Sequence, residues 1–205
     1  MKKYFVVAFV VALHVSAFGQ RDNGASEWIS LFDGHSFTGW KPAEHPATFT
    51  IADGMIAVLG ERAHLFYEGP VANHNFKNFE FNIQIMTTPG SNSGIFIHTG
   101  YQDEGWPKKG YEIQVNNTHT DWRRTASIYA VKDLKETPAK DNEWFEERII
   151  VQGRKITIKI NDKIVNEYTE PATGGRLSSG TIALQGHDPK SKVFYKDIKI
   201  RLLAD

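Results

Sequence analysis

No cysteine occurs among the 205 residues, which excludes a disulfide framework, a lipid-modified cysteine and any paired-cysteine metal site. The chain has to be held together by its core alone. An excess of one charge is missing too. The 24 basic residues balance 24 acidic ones with no long run of either sign, which argues against a nucleic-acid backbone or an anionic membrane surface as the main partner. A neutral or small ligand fits better. HExxH and EF-hand spacings, a GxSxG elbow and glycine-rich phosphate loops are also absent. No cofactor is predicted and no metal ligand is assigned, although a requirement for a divalent metal stays open. Hydrolytic chemistry would have to come from carboxylates and histidines.

Long apolar runs are confined to the N-terminus, where "MKKYFVVAFVVALHVSAFGQ" sets two lysines before an apolar stretch and small residues after it. This is the order of a secretory signal peptide. The apolar run from Tyr4 to Leu13 falls short of the ~20 residues a spanning helix needs, and His14 interrupts it. The expectation is a signal peptide over 1–19, a flexible lead over 20–26 and a single domain over 27–205, periplasmic or secreted, with no membrane association after cleavage.

What the rest of the chain does have is alternation. "FEFNIQIM" sets Phe79, Phe81, Ile83 and Ile85 against Glu80, Asn82 and Gln84. "YEIQV" sets Tyr111, Ile113 and Val115 against Glu112 and Gln114, and "KITIKI" sets three isoleucines against Lys155, Thr157 and Lys159. Outside the signal segment no stretch of helical length keeps a 3.6-residue stripe. Asp53-Gly54 reads as a two-residue hairpin turn, and "QGRK" and "INDK" bracket the Lys155 strand. Many short strands with one apolar face each predict an all-β, two-layer antiparallel sandwich.

The faces of such a sandwich differ in chemistry. The Lys155 face reads as simply solvated. Glu112, Gln114 and Asn116 offer a carboxylate beside carboxamides, groups suited to sugar hydroxyls and, for the carboxylate, to proton transfer. The Glu80 face has the same pattern, so spacing alone does not say which one is functional. In "SNSGIFIH", His98 falls on the parity of Phe96, which predicts a titratable group beside an aromatic platform. A lone histidine there is more often a satisfied structural residue. "LQGHDPKS" ends a strand with Gln185 on its polar face and His187 in the turn, and Trp106 and Trp122 sit in loops bounding the Glu112 strand. Such tryptophans either stack on sugar rings or plug the end of the sandwich.

Taken in order, "LFDGHSFTGW", "IADGMI", "SNSGIFIH", "YEIQV", "SIYAV", "NEWFEERIIVQGRKITIKINDKIV" and "GTIALQGHDPKSKVFYKDIKI" resemble the 3-keto-disaccharide hydrolase family over residues 28–203. The resemblance implies a concanavalin A-like jelly-roll sandwich, exported, acting on a small saccharide whose ring carries a ketone at carbon 3. It carries over onto Asn92, Ser93, Gly94, Glu112, Gln114, Gln185 and His187. Two positions depart from the family pattern: His98 stands where arginine is usual, and Trp144-Phe145 where a tryptophan-asparagine pair is.

The resulting assignment makes Glu112 the base, with His187 or His98 as acid or electrophile. Asn92, Ser93, Phe96, Gln114, Tyr129, Gln185, Trp106, Trp122 and Arg124 are the substrate-binding set. A non-catalytic carbohydrate-binding module is the rival. An ordinary β-glucanase is another, with Asp103, Asp121 or Asp188 supplying a second carboxylate from a loop.

Overall fold

The computed structural model describes residues 27–205, so the expected signal peptide and flexible lead lie outside the described residues. Thirteen strands follow: β1 Ile29–Ser30, β2 Trp40–Ala43, β3 Phe49–Ala52, β4 Met55–Val58, β5 Ala63–Tyr67, β6 Phe79–Thr87, β7 Ser93–Thr99, β8 Tyr111–Val115, β9 Phe145–Gln152, β10 Lys155–Ile160, β11 Lys163–Thr169, β12 Thr181–Gly186 and β13 Val193–Leu202. They form two sheets with every pairing antiparallel. The larger runs β11-β10-β9-β6-β13-β4-β3 with β1 added beside β13, and the smaller runs β2-β5-β12-β7-β8. The expected two-layer sandwich is the fold found.

Its turns follow the residues that form them. Asp53 and Gly54 both have positive φ (50° and 75°) between the paired Ala52 and Met55, and Asn161 and Asp162 (47° and 63°) do the same between Ile160 and Lys163. Positive φ at both central positions gives a turn whose twist matches that of the strands it joins.

The alternation decides the core. Phe79, Phe81, Ile83 and Ile85 on β6, Ile156 and Ile158 on β10, and Ile95, Ile97 and Ile113 on the smaller sheet are fully buried and interdigitate between the layers. Each such side chain contributes about 1.5–3 kcal/mol by leaving water. The look-alike face of β6 is a ladder of charge. Glu80 pairs with Arg201 at 2.7 Å, Asn82 Oδ1 accepts from Arg148 Nε at 3.2 Å, and Trp28 lies against the Arg201 guanidinium at 4.8 Å. That face is taken up by its own ion pairs and hydrogen bonds, which leaves the outer face of the smaller sheet for chemistry.

Candidate active site

Strand register assembles the site on that outer face. Phe96 on β7 stands opposite Glu112 on β8, Gly94 opposite Gln114, and Gln185 on β12 opposite His64 on β5. A cavity of about 360 Å³ opens over them, lined by Asn92, Phe96, Glu112, Gln114 and Gln185 from the strands and their mouths. Trp106, Pro107, Asp121, Tyr129 and His187 close it from the loops. Eight of these ten side chains belong to the site set expected from the sequence, so the polar face of β8 and the turn after β12 do converge.

Glu112 sits at the centre. Its Oε1 accepts a hydrogen bond from Gln185 Nε2 at 2.8 Å, although β7 runs between their two strands. The side chain crosses β7 at Gly94, where a Cβ would lie 2.5 Å from Glu112 Oε1. Glycine is needed there for space, since its φ is ordinary. Burial pushes the Glu112 carboxyl up to about 7. The charge of Asp121 adds to that, while the Gln185 hydrogen bond and Arg123 oppose it. Gly94→Ala is expected to lift the carboxylate off Gln185 and to cost about 1–3 kcal/mol of stability. Urea unfolding and a crystal structure of the variant check both effects.

The amides are ordered by one another. Gln114 Nε2 donates to Asn92 Oδ1 at 2.6 Å, and the Asn92 amide faces His119 Nδ1 at 3.4 Å. The side-chain Oε1 atoms of Gln114 and Gln185 have no partner among the described residues. His187 Nδ1 lies 2.7 Å from Asp188 Oδ2, so a proton on Nδ1 is donated there and Nε2 stays available to a ligand. Asp188 is partly buried, yet the bonds from His187, Ser191 Oγ and the Lys190 N–H hold its carboxyl at about 2. His119, which the sequence reading did not single out, packs its ring 5.6 Å from that of His187. With Asp188 the two imidazoles bring one ligand atom each within 4.8 Å, the one cluster among the described residues able to hold a metal.

The loop walls are pinned from behind. Gly105 N donates to Glu44 Oε1 at 2.8 Å, Glu44 is paired with Arg62 at 2.7 Å, and the Trp106 ring lies between His64 (5.5 Å) and His187 (5.7 Å). Tyr129 is backed by the Arg123 guanidinium at 4.6 Å. His64 is a buried neighbour that no periodicity announced. Loss of hydration lowers its imidazole to about 4, so it stays neutral beside Phe96 and Trp106.

Four expected site residues stand elsewhere. Ser93 has the parity of Ile95 and points inward, donating to the Gln185 carbonyl at 2.5 Å and bonding Tyr195 Oη at 2.7 Å. It buttresses the site from the core side. His98 does not share the Phe96 face. Its backbone turns to φ 51°, which breaks the alternation and packs the ring on Phe79 at 5.7 Å. Both of its nitrogens are taken, Nε2 by the Lys77 carbonyl at 2.9 Å and Nδ1 by the Ser178 N–H at 3.2 Å, and burial holds it neutral. It is a structural residue. Arg124 spends its guanidinium on the carbonyls of His119 (3.1 Å) and Asp121 (2.5 Å). Trp122 stacks outside the cavity with Arg123 at 4.9 Å.

Residues 27–201 match the model of the 3-keto-alpha-glucoside-1,2-lyase-like domain. The chain belongs to this family. A 3-keto-disaccharide hydrolase of Bacteroides thetaiotaomicron is 26% identical over 87% of this chain and 79% of its own length. Among solved structures, a Parabacteroides distasonis protein provisionally described as a glycosyl hydrolase superposes with a TM-score of 0.71 at 21% identity, covering 86% of this chain and 94% of that one. A non-specific endo-β-1,3(4)-glucanase of family GH16 superposes at 0.58 and 10% identity, covering 88% and 91%. The two structures share the fold, which is the expected concanavalin A-like jelly roll. Family membership makes this chain a carbohydrate-active protein of glycoside-hydrolase type.

Proposed function

We propose that the pocket cleaves glycosides whose sugar carries a ketone at carbon 3, by elimination followed by hydration. The observation that carries the reading is Glu112, a single carboxyl in the floor of the cavity tuned to about 7 and flanked by amides. A ketone at carbon 3 acidifies the hydrogen on carbon 2 and sets the bond from carbon 1 to the aglycone oxygen β to the carbonyl. Glu112 takes the carbon 2 proton, and the electron pair passes through the enolate to form the carbon 1–carbon 2 double bond. The aglycone oxygen leaves with its bonding pair and is protonated. Water then adds its hydroxyl to carbon 1 and a proton to carbon 2, returning the 3-keto sugar.

A base near neutrality is what such a step needs. The electrophile at the ketone oxygen comes from the corner formed by His187 and Asp188. Asn92, Gln114 and Gln185 present amides that orient ring hydroxyls, and Trp106 and Tyr129 flank the sugar. Asp121 also lines the cavity and would be the second carboxylate of a β-glucanase mechanism.

Incubation with a 3-keto disaccharide and with its unoxidised parent in deuterium oxide separates these readings. The elimination reading expects turnover of the ketone alone, with deuterium at carbon 2 of the product. Cleavage of the parent at a comparable rate, or product without label, overturns it. Saturable binding with no product at all favours a carbohydrate-binding module.

A further inference from the structure

We propose that His119, His187 and Asp188 hold a divalent first-row transition-metal cation at the rim of the pocket, with its open positions toward the bound sugar. The inference rests on the function proposed above and deepens it, for the cation would be the electrophile at the ketone oxygen.

The two imidazoles come from separate segments, the loop after β8 and the turn after β12, and meet with ring centroids 5.6 Å apart at an interplanar angle of 66°. All three side chains are half-buried, and one ligand atom from each lies within 4.8 Å of the others. Atoms bound to one such cation stand about 3–3.5 Å apart, given bonds of about 2.0–2.2 Å, so closing the set takes a side-chain rotation in which Asp188 exchanges its bond to His187 Nδ1 for the cation.

The surroundings of the three side chains bear on what they can hold. His119 Nδ1 accepts the Asp121 N–H at 3.1 Å and faces the Asn92 amide at 3.4 Å, so a cation held at this nitrogen takes the place of those donors. Hydrogen bonds from Ser191 Oγ and the Lys190 N–H hold the Asp188 carboxylate as outer partners hold a metal ligand. Arg124, the nearby positive group, has its guanidinium engaged with loop carbonyls.

Two imidazoles and one carboxylate suit zinc, cobalt or manganese, whereas calcium and magnesium prefer all-oxygen sites. Three protein ligands leave positions for substrate, the arrangement of catalytic centres. A 3-keto sugar offers a carbonyl flanked by hydroxyls, and that α-hydroxy ketone can occupy two of them at once.

Chelator-treated, untagged protein is titrated with zinc by calorimetry and with cobalt by visible absorption. One cation per chain is expected, with affinity falling at least about tenfold in His119→Ala and in Asp188→Ala and unchanged in Glu112→Gln. No stoichiometric binding, or equal affinity in His119→Ala, overturns the proposal. Full cleavage of a 3-keto disaccharide by metal-free protein also overturns it while leaving the elimination reading standing. Specific binding without any cleavage of that substrate supports the cation site and removes the elimination reading instead.

Discussion

Glu112→Gln is expected to lower kcat on a 3-keto glycoside by about 10²- to 10⁴-fold with little change in KM, the usual worth of a positioned general base. The amide keeps the shape of the side chain and can still bond to Gln185, but it cannot take the proton from carbon 2. In the parent protein kcat/KM should rise with pH through about 7, because the active form of a base is the deprotonated one and burial has moved that transition up. The variant should lose this limb along with its rate. Its fold should survive, since the substitution removes a buried ionisable group. Full turnover by Glu112→Gln, or an unchanged pH profile, would remove Glu112 from the mechanism.

Glu147→Leu is expected to stabilise the protein, and more so as pH rises. Glu147 lies on β9 between Phe145 and Ile149, on the parity that faces the core, opposite Ile83 and Ile160. It is fully buried, and neither carboxyl oxygen has a partner among the described residues. Burial alone pushes its carboxyl up to about 8, from an ordinary 4.5. Between those two values the folded chain holds a proton that the unfolded chain has released, so stability falls as pH rises through this window. The loss levels off above about 8 and amounts to something on the order of 5 kcal/mol.

Leucine has no proton to lose and fills similar space, so the variant should lack that slope. It should also gain about 1–3 kcal/mol at pH 5, where the neutral acid is still a buried polar group without a hydrogen bond. Urea unfolding of both proteins at pH 5 and pH 9 decides the matter. Glu112 adds a decline of the same sign below about 7 in both proteins, so the difference between them isolates Glu147. Equal pH dependence in the two would contradict the account.

Much of this was legible in the sequence. A period of two residues assigns each strand's inner and outer face without reference to anything distant, which is why the isoleucines of β10 and the polar row of β8 fall where expected. The inward position of Ser93 was readable in the same way, from its shared parity with Ile95. Other features depend on contacts far apart in the chain. The Glu80 and Glu112 rows look alike because what separates them is what covers them: arginines from β9 and β13 in one case, loops that exclude water in the other. His98 escaped because one residue of positive φ resets the alternation, and histidine does not announce such a turn as glycine would. His64 and His119 act through neighbours delivered by other segments, and no local period marks them.

The strand that carries Glu112 and Gln114 ends its sheet, and its free side is sealed by the chain that follows. Tyr129 N–H bonds to the Glu112 carbonyl at 3.0 Å, and Gln114 exchanges backbone bonds with Ser127 and Ala126 at 2.9 Å. The seal is also the source of His119, Asp121 and Tyr129. A bare border strand invites pairing with another molecule, so one segment both covers that border and supplies side chains to the cavity wall. Evolution can thus retune this protein by exchanging side chains along the segment far more readily than by shortening it, since a deletion that widened the entrance would also strip the sheet of its hem.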